Sequence, residues 1–431
     1  MDSLWRKTAR LPRFEPLKQD IKTKVLIIGG GMAGILCAHK LTGAGVECVL
    51  VEADRICGGV TGDTTAKITA QHGLVYHQLL SRFGAEKARL YQQANQWAVE
   101  EYRRLCRELE CEFQEQDNFV YSIADPQVLE KEMAALDRLG APARLVQRTP
   151  LPFSVAGAVC FARQGQFHPL KFVSEIVPGL RVFEHTKVLE VMPGQAVTTG
   201  GTIRAETIIV ATHFPMLNKH GSYFLKLHQH RSYVLALKNV PNMEGMYVDE
   251  DERGLSFWQY GDLLLLGGGG HRTGKQGGGW KELQTFAQRH WPKAKEAFHW
   301  ATQDCMTLDG VPYVGSYSRS THGLYVATGF NKWGMTSSMV AAQLLTDLVL
   351  GRENPWEQLF SPSRSMLRLQ LVSNAVQSVV GLLTPGPRCP HMGCVLKYNR
   401  QEHSWDCPCH GSRFTRKGEL INGPATDDKK M

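Results

Sequence analysis

The chain lacks several features that would each decide its class. It has no uninterrupted apolar run of membrane length. The most hydrophobic late stretch, Met366 to Leu383, is broken by Arg368, Gln370, Asn374 and Gln377, which excludes a span of about 20 apolar residues. It has no block of like charge. The formal net charge of +8 over 431 residues is dispersed, and Lys429-Lys430 is too short for a nucleic-acid arm, so the basic excess reads as a solvated surface. The first twenty residues contain Trp5, Arg6, Lys7, Arg10, Pro12 and Glu15 without an apolar core. No secretory leader is therefore expected, and a cytoplasmic location is.

The cysteines also lack the pattern of a disulfide framework. Seven are scattered (Cys37, Cys48, Cys57, Cys106, Cys111, Cys160 and Cys305), as buried small hydrophobes are. The other four, Cys389, Cys394, Cys407 and Cys409, crowd together among histidines, which in such a chain points to a metal site. Hydrophobic residues make up 43% and charged residues 21%. That balance supports a large core, and the length suits two or three structural units.

Lys24-Val-Leu-Ile-Ile28 reads as a buried parallel strand. Gly29-Gly30-Gly31-Met32-Ala33-Gly34 follows at once, then a helical stretch from Ile35 to Leu41 and a second strand, Glu47 to Val51, ending at Glu52. Glycines 29, 31 and 34 match G-x-G-x-x-G. In that unit the first glycine makes the tight turn, the second admits a pyrophosphate, and the third lets helix and strand pack closely. The phosphates sit at the helix N-terminus and the acid accepts from ribose hydroxyls. The loop from Arg55 through Gly59, Thr61, Thr64, Thr65 and Lys67 is rich in glycine and hydroxyls and is placed to wrap the flavin side of the cofactor. Further on, Glu206 to Thr212 reads as a strand of the same sheet. Asp309-Gly-Val-Pro-Tyr-Val-Gly315 precedes a strand from Gly323 to Gly329, the loop Phe330 to Thr336, and a helix from Ser337 to Leu350.

From about residue 20 to 352 the chain resembles the D-amino-acid oxidase/glycine oxidase superfamily of FAD-dependent oxidoreductases. The resemblance rests on the G-x-G-x-x-G unit with Glu52, on Asp309 to Gly315, and on Gly323-Leu-Tyr-Val-Ala-Thr-Gly-Phe330. It implies FAD, held by Gly29, Gly31, Met32, Ala33, Gly34, Glu52, Ala53, Arg55, Gly59, Thr61, Thr64, Thr65, Val188, Ala211, Thr212, Asp309, Gly329, Lys332, Trp333, Gly334, Met335 and Thr336. The closing strand–loop–helix would present backbone N–H groups and a helix N-terminus to the reduced ring. Where the sarcosine-oxidase branch carries a carboxylate-binding lysine, this chain has Thr336, which argues against a simple N-methyl amino acid. Cys305 lies near that branch's covalent tether, but its spacing to Asp309 is shorter and no covalent link is expected.

Near the C-terminus, Cys389-Pro-His391-Met-Gly-Cys394 and Cys407-Pro-Cys409-His410-Gly-Ser412 are separated by a short connector. The residue types alone would also suit zinc. The doubled Cys-x-His and Cys-x-x-His pattern resembles a Rieske [2Fe–2S] domain, which implies Cys389, His391, Cys407 and His410 as ligands and a disulfide between Cys394 and Cys409. Two neutral imidazoles on one iron place such potentials at roughly −150 to +300 mV. Ser412 matches the family's cluster-sulfur donor. Phe414 stands where high-potential relatives have a tyrosine, whose absence should lower the potential, and Gly423-Pro-Ala425 resembles the loop that covers the cluster. The domain is short for its family and should lean on the flavoprotein and on its cluster to fold.

The expected architecture is α/β. A Rossmann-like FAD-binding domain (20–80, 150–213, 301–355) interleaves with an antiparallel-sheet substrate domain (81–149, 214–300). A helical linker (356–386) leads to a minimal β Rieske domain (387–431). Helical patterns run from Leu79 to Leu109 and from Pro126 to Leu139, and strand patterns from Arg231 to Leu237, Gly254 to Tyr260 and Leu263 to Gly267. Tyr233, His271, Arg272, Lys332 and Trp333 are the catalytic candidates, with His230, Arg231, Trp258 and Tyr260 as further substrate contacts. Gly267 to Gly270 is either an anion-embracing backbone or a surface hairpin. His228 and His230 share one strand face and are not read as metal ligands.

The expected function is oxidation of an amine or amino-acid-like substrate by hydride transfer to flavin, with electrons relayed singly through the cluster to an external carrier. The alternatives are a reductase running from cluster to FAD to substrate, and a non-catalytic redox sensor. A Rieske oxygenase is disfavoured because no two-histidine-one-carboxylate set is evident. No nucleic-acid partner and no membrane span are expected. A homo-oligomer is left open.

Overall fold

The structure, a computed structural model, describes residues 2–217, 220–366 and 369–429. Residues 218, 219, 367, 368, 430 and 431, within the expected substrate, linker and Rieske segments, lie outside the described residues, as does Met1.

Val25, Leu26, Ile27 and Ile28 are almost wholly buried, so their strand must be covered on both faces and paired on both edges. The strand Ile21–Ile28 does pair in parallel with Cys48–Val51 on one side and Gly201–Val210 on the other. Val182–Phe183 extends one edge. Leu324–Thr328 adds a further parallel strand at the other, with Tyr313–Ser316 antiparallel beyond it. The helices Met32–Gly43 and Gly334–Val349 pack together on this sheet. The turn between first strand and helix is too tight for any side chain at Gly34, where a Cβ would sit 1.9 Å from the Gly29 carbonyl oxygen.

A second sheet of nine strands stands against the first. Its order runs from Lys295–Thr307 through Leu227–Lys238, Leu263–Arg272, Ser256–Tyr260, Met246–Asp249, Gln114–Ser122 and Gly157–Gln166 to Lys67–Ile68. Arg144–Val146 pairs beside Gly157–Gln166. The exchange of strands between units corrects the expected boundaries. Lys67–Ile68, Gly157–Gln166 and much of Lys295–Thr307 had been allotted to the nucleotide-binding unit but belong to this sheet. The reason is pairing. Gly157–Gln166 returns antiparallel along Gln114–Ser122 after the helix Pro126–Leu139, burying Val159 and Phe161 on one face and Ala158 and Cys160 on the other.

Gly267 to Gly270 lies within the strand Leu263–Arg272 and not in a surface hairpin. A Cβ at Gly268 would meet Leu255 and Leu283, one at Gly269 would lie 2.4 Å from the Gly279 oxygen, and one at Gly270 would lie 2.8 Å from His230. The glycines let the helix Gly279–His290 press onto the sheet.

The long helix Tyr76–Cys106 bends at Gly84, whose φ is 80°. A short helix, Leu4–Thr8, is a feature the sequence reading did not assign. Trp5 is fully buried and donates from its indole to the Thr64 carbonyl at 2.8 Å, and Arg6 pairs with Asp63 at 3.0 Å. The N-terminal segment thereby pins the loop that carries Thr61 and Thr64. After the helices Glu357–Phe360 and Leu369–Leu383, four short strands (Lys397–Asn399, Ser404–Asp406, Arg413–Phe414 and Leu420–Asn422) form a small antiparallel sheet.

Gly34→Ala is expected to overpack this turn and to lower stability by about 1–3 kcal/mol, read as a lower urea midpoint with unchanged slope. Wild-type stability would show that strand and helix can separate to admit a methyl group.

Candidate functional site

One cavity of about 1090 Å³ runs between the two sheets. Of the residues expected to hold FAD, only Gly34, Gly329 and Thr336 do not line it. Gly34 acts through the tight turn. Thr336 turns away, donating to the Thr69 carbonyl at 3.1 Å and meeting His72 at 2.9 Å. Glu52 accepts from Gly30 N–H at 2.7 Å and Asp54 N–H at 3.0 Å. Burial raises its pKa, against those backbone bonds. Trp333 stacks on His72 with ring centres 5.0 Å apart, and Asp309 is held by both arms of Arg364 at 2.8 Å. Cys305 lines the same space. Its thiol is pushed up to about 12 by burial, so it is an un-ionised, inert neighbour. The cavity's size, its glycine turn at a helix N-terminus, and the unpartnered buried His228 Nδ1 and Thr302 Oγ1 on its wall fit a dinucleotide with a polar ring system.

The two C-terminal loops converge. His391 Nδ1 and His410 Nδ1 lie 3.3 Å apart with rings at 86°. Two ligands about 2.1 Å from one tetrahedral metal would be about 3.4 Å apart, so the imidazoles fit a shared iron. The sulfurs of Cys394, Cys407 and Cys409 all lie within 4.8 Å of one another. Neighbouring thiols donate to Cys407 and hold its pKa well below the usual thiol range, while the hydrogen bond to Cys407 and burial push that of Cys389 up. Gly393 N–H to Cys389 O and Gly411 N–H to Cys407 O, both 2.9 Å, close matching turns. The expected Cys394–Cys409 bridge is not formed. Both are free thiols, and Cys409 donates to the Gln377 carbonyl at 3.5 Å instead. The helix Leu369–Leu383 presses on the loops at Gly381, where a Cβ would come within 2.6 Å of Cys409 Sγ.

The cluster domain docks on the outer face of the nine-stranded sheet. Gln229 Nε2 donates to His410 O at 2.9 Å and Gly423 O at 3.0 Å, and Gln303 Nε2 donates to Gly411 O at 2.9 Å. Arg231 and Arg413 both clamp Glu402, which also accepts from the Tyr233 hydroxyl at 3.0 Å. The loop Gly423 to Thr426 itself forms part of the cavity wall.

This docking redistributes the catalytic candidates. Lys332, Trp333 and Tyr233 border the cavity, but Tyr233 spends its hydroxyl on Glu402 and His271. His271 and Arg272 do not line the cavity. Arg272 donates to Pro408 O, Cys409 O and Asn374 Oδ1, each at 3.1 Å, so it is an interface residue. The cause is strand alternation. On Leu227–Lys238, Gln229, Arg231 and Tyr233 contact the cluster domain and His228 and Val234 lie on the opposite face, while the cavity also reaches Gln229 and Tyr233. Trp258 is buried beneath Lys67, His230 has an unpartnered Nδ1, and Tyr260 contacts Glu112 and Trp5, away from the cavity. The sequence reading missed Gln229, Gln303 and Glu402, since isolated polar residues carry no motif. It took Lys67 only as part of the loop that wraps the cofactor. A lysine between apolar neighbours in Ala66-Lys67-Ile68 was the available signal.

A dinucleotide cavity walled in part by the cover loop of a Cys/His cluster site defines a two-cofactor electron-transfer flavoprotein. Residues 24–348 match the family model for FAD dependent oxidoreductases, and residues 382–430 match that of the Rieske [2Fe-2S] domain. The chain belongs to the FAD-dependent oxidoreductases and carries a C-terminal Rieske domain; its cofactors are FAD and a [2Fe–2S] cluster. It is 35% identical, over 100% of its length and 97% of the relative's, to the Rieske 2Fe-2S iron-sulfur protein YhfW of Bacillus subtilis (strain 168). It is 24% identical to gamma-glutamylputrescine oxidoreductase of Escherichia coli (strain K12), over 78% of this chain and 86% of that one. Among solved structures, L-proline dehydrogenase from P. horikoshii superposes with a TM-score of 0.67 at 16% identity, covering 81% of this chain and 98% of that one. Glycine oxidase from Geobacillus kaustophilus gives 0.64 at 20%, covering 80% and 99%. Among the described residues no helix is long and apolar enough to cross a membrane.

Burial alone would raise the Glu402 pKa, but Arg231 and Arg413 overcome it and hold the carboxyl below its ordinary value. The clamp's contribution is therefore complete above about pH 4.3 and is lost as pH falls through the depressed native value. Glu402→Ala leaves the buried Arg231 guanidinium without a carboxylate, while Arg413 keeps Asp406. It should cost about 3–5 kcal/mol in guanidinium unfolding followed by cluster absorbance. An unchanged midpoint would show that the clamp contributes nothing.

Proposed function

We propose that the chain oxidises an amine or amino-acid-like substrate at the C–H bond next to nitrogen, and that electrons leave through the cluster to an external one-electron carrier. Bound FAD supplies a hydride acceptor, and the cluster supplies a carrier of single electrons. Cys389 and Cys407 would hold one iron as thiolates, and His391 and His410 the other as neutral imidazoles; burial keeps His391 neutral, with its pKa lowered to about 4. The relatives named for oxidising or dehydrogenating C–N compounds support the substrate class.

The observation that carries this reading is the two-sided strand Leu227–Lys238. Its inner face borders the cavity through His228, and its outer face holds the His410 and Gly423 carbonyls through Gln229. The cavity reaches both His228 and Gln229, so this one strand links it to the ligand loop of the cluster. The chain's own contribution is placement. His72 and Trp333 form a flat stacked wall, and Gln229 with Gln303 fixes the ligand loop to the sheet.

The test is anaerobic mixing of the holoprotein with a panel of amines and amino acids while flavin and cluster absorbance are followed together. Flavin colour should fall first and cluster colour second. If no compound bleaches the flavin, or the cluster's potential lies below that of the flavin, the reading fails. Cys407→Ser should abolish the cluster's spin signal and leave the yellow chromophore in place. A Gln229→Leu, Gln303→Leu pair should slow cluster reduction on the order of tenfold, the loss of about one hydrogen bond's stabilisation, with substrate bleaching of the flavin unchanged.

A further inference from the structure

An ordinary surface helix turns its apolar stripe inward and its polar face to water. The helix Leu369–Leu383 is the other way round. Gln370, Asn374, Gln377, Ser378 and Gly381 fall on one side of it at helical spacing, and Val372, Val376, Val379, Val380 and Leu383 on the other. The polar side is the one that packs. Asn374 is 2% exposed, accepts from Arg272 at 3.1 Å and donates to the Leu225 carbonyl at 3.0 Å. The Gln377 carbonyl accepts from Cys409 at 3.5 Å, and the Gly381 carbonyl accepts from the Val395 N–H at 2.9 Å. The apolar side faces solvent. Its four valines are each more than half exposed, and Leu383 is 79% exposed.

Such a face is unfavourable against water, and its chemistry selects what covers it. The side chains are all aliphatic. No aromatic residue lies in the helix, whereas protein interfaces draw most of their energy from tryptophan, tyrosine and arginine anchors, among which valine and leucine are scarce. The surrounding charge has one sign. No aspartate or glutamate occurs between Glu357 and Glu402, nor in the segments 223–226 and 407–412 on which the helix rests. Arg388 closes the C-terminal end of the helix by donating to the Gly381 carbonyl at 3.2 Å and the Leu382 carbonyl at 2.9 Å. Lys397 follows Leu396, whose N–H donates to the Pro387 carbonyl at 2.8 Å. Both cations are exposed, and neither has a carboxylate partner among the described residues. A second copy of the chain would bring like charges together. The helix is also roughly 22 Å long, too short for a hydrocarbon core of about 30 Å, and its polar side is already bonded to the protein. It can lie on a bilayer but not through one.

We propose that the apolar face of Leu369–Leu383 seats the protein on an anionic lipid surface. The aliphatic side chains enter the acyl boundary, and Arg388 and Lys397 meet the headgroup phosphates. The cluster is carried with them. Gly381 lies against Cys409, and Met392, next to the ligand His391, is itself 39% exposed. Docking therefore brings the ligand loops to the lipid surface, whatever chemistry the cavity performs.

The test is co-sedimentation of the full chain, loaded with FAD and cluster, with vesicles of pure phosphatidylcholine and of phosphatidylcholine mixed equally with phosphatidylglycerol. The mixed vesicles should bind roughly tenfold or more tighter at low salt, and that excess should shrink as ionic strength rises from about 0.01 M to about 1 M. Lys397→Gln should weaken binding to the mixed vesicles roughly fivefold, as for one cation near an anionic surface. Val379→Ser with Leu383→Ser should weaken it on the order of tenfold or more, with flavin and cluster absorbance and the melting temperature unchanged. Should that double variant lose its cofactors, the headgroup and salt comparison on the native chain and Lys397→Gln decide the matter. The proposal is overturned if neither vesicle binds, if the mixed vesicles bind no better than the neutral ones, or if the intact double variant binds as the native chain does. It is also overturned by a dimer in sedimentation velocity that the double variant dissociates, which gives the face to a second copy. A plant-type ferredoxin, used as an acidic protein probe, overturns it too if it binds where vesicles do not and is lost with the same variant.

Discussion

The arrangement depends on one buried carboxylate. Glu402 reaches from the cluster domain between Arg231 of the large sheet and Arg413 of its own domain, and accepts from Tyr233 as well. All three charged side chains are under one-tenth exposed. Removing Glu402 would strand Arg231 in a dry interface, whereas Arg413 keeps Asp406 at 3.1 Å. The four strands of the cluster domain bury only a small core, around Leu396, Phe414 and Ala425, which is too little to hold such a domain by itself. The clamp and the Gln229 and Gln303 amides replace the missing base with the face of another sheet.

The position of the cavity follows from the same contact. The outer face of Leu227–Lys238 is committed to the cluster domain, and the cavity reaches the strand through His228, Gln229, Tyr233 and Val234. The amide at Gln229 then joins the two sites through a single strand. The loop Gly423 to Thr426 is part of both, covering the cluster on one side and walling the cavity on the other. The N-terminal helix plays the matching role at the far end, where buried Trp5 and Arg6 pin the loop from Gly58 to Thr64.

Local patterns carried the two cofactor motifs because each is contiguous and geometrically demanding. A strand, a turn that excludes a Cβ at Gly34 and a helix make a nucleotide seat without reference to the rest of the chain. Two short loops of cysteine and histidine likewise hold their own shape through turns closed at Gly393 and Gly411. Substrate contacts are a different matter. His271 and Arg272 are polar residues at the end of a glycine-rich strand, and periodicity assigns them a face only after the register is known. A bulge between Arg231 and Tyr233 resets that register, and Arg272 ends at the cluster loop.

By itself, then, the sequence determined the strand–turn–helix around Gly29 to Gly34, the four cluster donors, the α/β class and the order of the units, because each follows from neighbours within about thirty residues. Only the tertiary structure decided which strands cross between the sheets, which face of Leu227–Lys238 meets the cluster, and that Lys67 is left without a counter-ion beside Trp258. These are outcomes of pairing and packing between segments distant in the chain, where a one-residue change of register turns every side chain to the opposite face.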